Sequence, residues 1–468
     1  MPQKARQTVR RAPWFFSALI VGFLCALTSS TEAWALGLGG RGLPLSPPRL
    51  IADGGAERLE LGLYVTTLLG FESNYLVTTS RVDAAAVWAL EGGAELRWHL
   101  TDAWRLRLEF SGMLRLPFAA PSFENPATAD LPKSEQPTLV ESLVELPVLL
   151  TYTGRTRWTF SLFSHIAYER SKTPPVFFDA VPNEQLQGTQ GKSGVGGNTA
   201  LAGSGRTIVY QSAYAQLRPA ISAYVVQQLM VEGGLYLRGK LLDFQQNPFG
   251  SDPDYGLFDL GFDLSATGRP WSWLTLRTKY DFAVRVFDGF QARPSQYEPA
   301  KDEDLQMYRH ILALSASVRV LRSLQLRGRY LYRHNTDNGG FFDYSDHLLE
   351  VGVAFTWYDD NEVERFSFAA HISYLSRGYR HRTLCEAMQV PGQTGYQGTD
   401  CRPIGPSRLE PSAQPQKESA LVLSASATYA LTEWLQLVAT YELEDADSDI
   451  EDLLVPNHRV MAGVSVQY

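Results

Sequence analysis

Residues 275–286 read TLRTKYDFAVRV, and apolar and polar side chains alternate along them. The apolar positions are Leu276, Tyr280, Phe282, Val284 and Val286, and the charged positions are Arg277, Lys279, Asp281 and Arg285. A repeat of two residues places the two sets on opposite faces of a β-strand. Because the run is about twice the usual strand length of roughly 5–6 residues, the sequence predicts a long strand with one apolar and one charged face.

The same pattern recurs along the chain, for example in residues 324–333 and 459–468. Each repeat is bounded by residues typical of turns. About sixteen such segments are predicted, at 57–70, 86–100, 104–117, 139–153, 157–170, 207–226, 229–245, 255–268, 272–288, 305–321, 323–335, 344–358, 363–378, 417–431, 434–445 and 456–468.

The connections between these segments alternate between short and long. The short ones lie around 101–102, 154–155, 227–228, 269–270, 322, 359–361 and 432–433. The long ones lie around 71–85, 118–138, 171–206, 246–254, 289–304, 336–343, 379–416 and 446–455. Transmembrane β-barrels have short periplasmic turns, longer extracellular loops and an even number of strands. The sequence therefore predicts an all-β fold, a single antiparallel up-and-down barrel of about sixteen strands.

The physical reason for a closed barrel is the absence of water in a bilayer. Each unpaired backbone N–H or C=O in hydrocarbon costs several kcal/mol, so only helices or closed sheets can span it. A tilted strand needs about 9–11 residues to cross, and the predicted segments reach that length. A soluble β-sandwich is the alternative, since its strands also alternate. It does not explain the regular order of short and long connections.

The first residues are typical of an export signal. Arg10 and Arg11 precede an apolar run at 14–28, and Ala33-Trp34-Ala35 fits a small-x-small cleavage site. The apolar run is shorter than the roughly 20 residues of a membrane-spanning helix; an uncleaved anchor helix is the alternative. The predicted organisation is a signal peptide at 1–35, a flexible periplasmic lead at 36–56 and the barrel at 57–468.

Two cysteines, Cys385 and Cys401, lie in one predicted loop of the exported chain. An even pair in an exported protein predicts a disulfide. No second cysteine pair accompanies them in this loop, so we expect no metal there. No nucleotide, haem or zinc motif is present, and we expect no cofactor. The formal net charge of -8 argues against nucleic acid as a partner.

The positions opposite the apolar face are predicted to line the lumen, because Arg or Lys facing lipid costs about 2–4 kcal/mol. The candidate solute-contacting residues are Arg105, Arg107, Glu141, Glu145, Asp259, Asp263, Arg277, Lys279, Arg285, Arg309, Arg319, Arg327, Arg329 and Arg333. The ninth to eleventh segments put a basic ladder on one wall, whereas the acidic residues belong to other segments. Opposed walls favour anionic or zwitterionic solutes. Equally, these residues could pair with one another and brace the barrel.

A barrel of about sixteen strands leaves an aqueous channel unless it is plugged. The sequence therefore predicts a porin-like channel for small polar or anionic solutes or a polysaccharide. The alternative is a non-conducting adhesin or complex partner with its loops packed in the bore. An enzyme is not expected: the inward His165 and His371 have no inward Ser or Asp singled out beside them.

Residues 460–468 alternate and end in the aromatic Tyr468, and they resemble the closing strand of bacterial outer-membrane β-barrels. The turns around Thr101-Asp102 and Thr432-Glu433, each followed by Trp, resemble the turns of that family. The resemblance implies that the barrel-insertion machinery reads Tyr468, that membrane lipid surrounds the barrel, and that a homotrimer is possible. The acidic run 442–452 could bridge lipopolysaccharide through divalent ions; a solvated loop is the other interpretation.

A narrower likeness covers residues 70–75, GFESNY, and the following strand with Gly92 and Gly93. These residues are similar to the first hairpin of porin-like proteins found beside exopolysaccharide export systems. The likeness adds a polysaccharide to the candidate solutes and an export complex to the candidate partners.

The predicted Cys385–Cys401 disulfide can be checked by mass spectrometry. We expect the mass of the exported protein to rise by two hydrogen atoms on reduction, because each sulfur regains a proton. A Cys385→Ser variant serves as the control. An unchanged mass on reduction of the native chain contradicts the prediction.

Overall fold

The computed structural model describes residues 52–53, 59–72, 85–119, 140–154, 157–172, 209–245, 255–292, 303–340, 342–360, 363–384, 414–448 and 457–467. Sixteen long strands of this part are numbered in chain order. They are β1 Leu59–Glu72, β2 Ala85–His99, β3 Trp104–Ala119, β4 Glu141–Thr153, β5 Trp158–Lys172, β6 Val209–Val226, β7 Leu229–Gln245, β8 Tyr255–Trp271, β9 Leu274–Gln291, β10 Asp304–Arg319, β11 Leu324–Asp337, β12 Tyr344–Tyr358, β13 Glu364–Leu384, β14 Gln414–Ala430, β15 Leu435–Ser448 and β16 Asn457–Gln467.

Each strand pairs antiparallel with its sequence neighbours, and β16 returns to pair with β1. Val460 is opposite Phe71, and Gln467 is opposite Tyr64. The sheet is therefore closed, which confirms the predicted sixteen-stranded antiparallel barrel. The described residues include no helix long and apolar enough to cross a membrane.

The observed strands follow the predicted segments closely. For β7 and β12 the predicted bounds, 229–245 and 344–358, equal the observed ones. The main difference is at β13 and β14, where the prediction ended at 378 and resumed at 417. The pairing continues after a register shift to Leu384 opposite Gln414. Backbone pairing does not require an apolar face, so alternation alone missed this extension.

The ends of the barrel differ in how strands are joined. Strands β2–β3, β4–β5, β6–β7, β8–β9, β10–β11, β12–β13 and β14–β15 join at one end, here called the short-turn end; the opposite end is the long-loop end. Two turns of the short-turn end share one device. The Thr101 hydroxyl oxygen accepts the backbone N–H of Trp104 at 3.0 Å, and that of Thr432 accepts the N–H of Leu435 at 3.0 Å. A threonine at this position satisfies turn donors that the sheet leaves unpaired.

The outer surface of the barrel is apolar. Leu235 and Leu241 are 64% and 67% exposed. Trp residues collect at the short-turn end, where Trp271 and Trp273 stack at a centroid distance of 5.3 Å and are both exposed. Trp favours a membrane–water interface because its ring is apolar and its N–H reaches water. A continuous apolar surface of this extent fits hydrocarbon rather than water.

The inner surface carries apolar side chains as well as charged ones. Leu331, Leu348, Leu375 and Ala420 form one buried inward cluster. A second cluster contains Leu68, Ala85, Val87, Ala89, Val438 and Met461. Packing among neighbouring strands buries these side chains, so an inward position does not by itself require a polar residue.

Several predictions concern residues outside the described part of the chain. These are the signal peptide at 1–35, nearly all of the lead at 36–56, the Cys385–Cys401 disulfide and Tyr468. Within the predicted lead, Ala52 and Asp53 pair antiparallel with Leu61 and Glu60 of β1.

The seam between β1 and β16 depends on small residues. A Cβ atom added at Gly463 would overlap the carbonyl oxygen of Thr67 on β1. The Thr66 hydroxyl donates to Ser465 Oγ across the same seam at 2.8 Å. At Gly463 the two backbones therefore approach more closely than a side chain would allow.

We expect Gly463→Ala to weaken closure and to lower the free energy of unfolding by about 1–3 kcal/mol, as overpacking does. The measurement is urea titration of the barrel refolded in lipid vesicles. Gly239→Ala is the matched control, because nothing lies within 4 Å of a Cβ atom added there. Equal stability of the two variants contradicts the proposed role of the seam.

Candidate functional site

The inward charged residues form the candidate site, because the outer face is apolar and nothing else in the described residues gathers so many ionisable groups. Strand alternation places them: on β9, for example, Asp281 and Arg285 are buried inside the barrel. The partner of each charged residue depends on the strand register. The charged residues form two sets: an upper set near the long-loop end and a lower set nearer the short turns.

Asp259 on β8 is the centre of the upper set. Its carboxylate accepts two hydrogen bonds from Arg285, at 2.7 and 3.0 Å. Arg309 lies 3.5 Å and Arg238 3.6 Å from the same carboxylate. The Asp259 side chain is 0% exposed. One carboxylate thus holds three guanidinium groups of β7, β9 and β10 in the barrel wall.

A second pairing involves Arg218 of β6, which the sequence analysis did not single out. Arg218 donates two hydrogen bonds to Asp263, at 2.7 and 2.6 Å, and also contacts Glu232 on β7. The alternation of β6 was the available signal, since Arg218 shares its face with the inward Ser212 and Ala220.

Asp346 of β12 is another buried acid that the sequence analysis missed. It lies 3.5 Å from Arg333 and 3.0 Å from Arg377 on β13, and it is 0% exposed. The candidate set named no residue beyond β11. The alternation of β12 and β13 would have extended it.

The seam carries a similar pairing. Arg459 on β16 lies 3.1 Å from Glu72 on β1 and 3.1 Å from Glu442 on β15. Elsewhere on the wall, Arg115 on β3 lies 3.0 Å from Glu141 on β4. Buried charges are tolerated when they are paired with opposite charges, and these residues of the upper set each have one within 4 Å. Some of their buried atoms, such as Asp346 Oδ1, nevertheless have no hydrogen-bond partner among the described residues.

The lower set includes a mixed wall on β2–β5. Arg107 lies 2.6 Å from Glu95 and 3.1 Å from Glu109. Glu145, 31% exposed, lies 3.7 Å from His165. The His165 ring is 5.3 Å from that of Tyr214. Acidic side chains on this wall therefore remain partly open to the lumen.

The lower set also includes four cations on β9 and β11: Arg277, Lys279, Arg327 and Arg329. We name them the β9–β11 basic patch; all four are half-buried. Arg329 lies 3.2 Å from Glu350. Arg327 donates instead to the neutral Gln325 Oε1 at 2.9 Å. Within the described residues, Arg277 and Arg327 form no ion pair, so the patch keeps an excess of positive charge.

The two walls partly face each other across the lumen. In a ring of sixteen strands, the strands eight positions from β9–β11 are β1–β3, so the basic patch lies across the lumen from an arc that overlaps the mixed wall at β2 and β3. The four acidic candidates do not form the single acidic wall that the sequence suggested. Asp259, Asp263 and Glu141 are buried in ion pairs with arginines and do not form a separate acidic wall. Glu145 does face the lumen.

The remaining candidates have distinct positions. Arg105 and Arg319 lie near the short turns and are exposed. His371 lies 3.9 Å from Glu350, so each inward histidine has a glutamate as its carboxylate neighbour, beyond ordinary hydrogen-bond distance. The described residues contain no group of three or more His, Cys, Asp or Glu that could hold a metal ion.

Comparison with known proteins gives structural likeness only. No protein-family model and no curated protein matches the chain. Outer-membrane expressed OmpT of Vibrio cholerae is similar over 88% of this chain and 99% of its own, at TM-score 0.39 and 10% identity. An anion-selective porin from Comamonas acidovorans is similar over 88% of this chain and 99% of its own, at TM-score 0.37 and 9% identity. A bacterial polysaccharide outer membrane secretin is similar over 87% of this chain and 98% of its own, at TM-score 0.37 and 8% identity. The likeness concerns the architecture alone.

We expect Asp259→Asn to lower the free energy of unfolding by about 3–5 kcal/mol, because it leaves three buried guanidinium groups without their shared carboxylate. The measurement is the same urea titration in vesicles. Glu60→Gln is the control: Glu60 lies 3.7 Å from Arg97 and both are about one-third exposed, so about 0–1 kcal/mol is expected. A loss at Asp259 no larger than that of the control is the contrary result.

Proposed function

We propose that this chain is an outer-membrane channel that admits small anionic solutes past the β9–β11 basic patch. The observation that supports it most directly is that Arg277 and Arg327, both half-buried in the lumen wall, form no ion pair within the described residues. A cation without an ion-pair partner in a low-dielectric bore attracts anions and repels cations.

Other features are consistent with this function. The outer surface is apolar along the strands, and Trp residues collect at the short-turn end, as expected at a bilayer interface. We propose that residues 1–35 are a cleaved export signal, and that the short turns face the periplasm. Lipid and lipopolysaccharide are then the surroundings of the barrel, and a homotrimer or an export complex is a possible assembly.

The mixed wall on β2–β5 carries partly exposed acids. Glu109 and Glu145 are 28% and 31% exposed, and Glu109, on β3, lies opposite the basic patch. A field across the lumen guides an anion along the basic side and keeps its polar or apolar remainder on the other. Solutes with an anionic group and an uncharged body fit this arrangement better than simple cations.

A specific observation favours a second function. Asp259, Asp346 and Glu72 point inward near the long-loop end, yet each is 0% exposed. Carboxylates on the wall of a wide open channel would contact water. The wall of the upper lumen is therefore closely packed, a feature that favours a non-conducting barrel that acts as an adhesin or a complex partner. The same packing is compatible with a narrow channel.

We expect the refolded native protein to conduct in planar bilayers and to prefer chloride over potassium across a salt gradient. The variant Arg277→Glu/Arg327→Glu should reverse this preference, because four units of charge change on one wall while the ion pair of Arg329 with Glu350 stays intact. The measured quantity is the reversal potential.

The control is Arg269→Glu/Arg322→Glu, which changes the same charge at the short turns, where Arg269 and Arg322 are exposed. It should keep the anion preference. Silence of the native protein at all voltages supports the second function instead, and cation preference of the native channel contradicts both the anion selectivity and the role of the patch.

A further inference from the structure

Strand β10 separates the two halves of the β9–β11 basic patch, and its inward side chains there are small: Ala313, Ser315 and Ser317. Ser315 is paired across the sheet with Arg277 of β9 on one side and with Arg329 of β11 on the other. Ser317 is paired in the same way with Thr275 of β9 and with Arg327 of β11. The cations therefore stand on both sides of a strand whose own side chains leave room between them.

From this geometry we propose that β9–β11 form a discrete binding site for a divalent oxyanion group, phosphate or sulfate, with Ser315 and Ser317 as its floor. The site deepens the proposed channel function, since it names the group that the basic patch would hold. Its flanks are Arg277 and Lys279 on β9 and Arg327 and Arg329 on β11.

The size of the site fits such a group. Neighbouring strands lie about 4.8 Å apart, so β9 and β11 are separated by roughly 10 Å. An arginine side chain on each flank can lean over the floor and reach a ligand of a few ångströms between them. A large side chain on β10 would fill this space, whereas serine leaves it open and supplies a hydroxyl.

The hydrogen-bonding groups of the site are mainly donors. Gln325 donates to Ser317 Oγ at 2.6 Å, which leaves the Ser317 proton free to donate to a ligand. The Ser315 hydroxyl has no side-chain partner among the described residues. Guanidinium groups donate in pairs to phosphate and sulfate oxygens. Such a set suits a ligand that has only acceptors.

Two of the cations are held in place in advance. Gln325 links Ser317 to Arg327, with its Oε1 accepting from Arg327 Nη2 at 2.9 Å. Glu350 holds Arg329 at 3.2 Å. Gln325 fixes Arg327 without cancelling its charge, so the guanidinium stays available to an anion. Preorganised donors bind more tightly because less side-chain freedom is lost on binding.

The charge favours a divalent ligand. Glu350 pairs with Arg329, whereas Arg277 and Arg327 form no ion pair within the described residues, so two guanidinium charges remain on one stretch of wall. Arg277 experiences the positive charges of Arg218 and Arg329 as well as the negative charges of Glu232 and Asp263. Since Coulomb attraction scales with the ligand's charge, a dianion relieves this mutual repulsion more than a monovalent carboxylate or chloride.

The test is isothermal titration of the folded barrel in detergent micelles with inorganic phosphate at neutral pH. We expect saturable binding by the native protein. Arg277→Gln/Arg327→Gln should weaken it at least about tenfold, and the control Arg269→Gln/Arg322→Gln, which removes equal charge, should stay within about twofold. Absence of saturable binding by the native protein overturns the proposal, and so does an equal loss in the control.

Ser315→Leu tests the floor with every charge intact. It should weaken phosphate binding about tenfold while the anion preference in bilayers persists, which separates this site from general anion selectivity. Folding is checked by heat-modifiable migration in gels, and Ser315→Val replaces it if the leucine variant does not fold. Native affinity in a folded Ser315 variant overturns the proposed floor. Phosphate binding by a barrel that does not conduct would refute the channel and leave the site in place.

Discussion

Backbone hydrogen bonding in the absence of water is the constraint on which this structure depends. A strand surrounded by hydrocarbon must give every N–H and C=O to a neighbouring strand, and the last strand must return to the first. The pairing of β16 with β1 meets this requirement. Closure in turn creates an inside and an outside, and the alternation of side chains assigns each residue to one of them. The apolar belt and the charged lumen both follow from it.

The charges inside the barrel are organised by how accessible they are. Near the long-loop end, acids such as Asp259 and Asp346 are fully buried, and each is surrounded by arginines that stabilise it. Burial without such partners would be too costly. Nearer the short turns the charged side chains are only half-buried and the requirement is relaxed, so Arg277 and Arg327 form no ion pair with any described residue. The difference separates residues that hold the wall together from residues available to a solute.

The fold could be predicted from the sequence because its two signals are local: a period of two within strands and the alternating lengths of connections. The orientation of side chains followed from the same period, as at Arg285 and Arg309. Their partners could not be predicted, since partners depend on the register between strands, which a one-residue slip would change entirely. Asp259 was therefore expected on an acidic wall, and it lies among arginines. Arg218 and Asp346 had the right parity but no distinguishing local pattern. Ser315 could not be recognised as part of a site from the sequence, because the cations beside it lie on neighbouring strands.

The seam also bears on how the barrel assembles. All other pairings of the sixteen strands join sequence neighbours, so successive hairpins can form from contacts close in the chain. The bond between Thr66 and Ser465 spans 399 residues. Loop-closure entropy delays contacts of such separation, and folding slows as they increase. The β1–β16 pair thus carries the largest loop-closure cost of the sixteen pairings, and until it forms both terminal strands keep open edges that can pair with another chain.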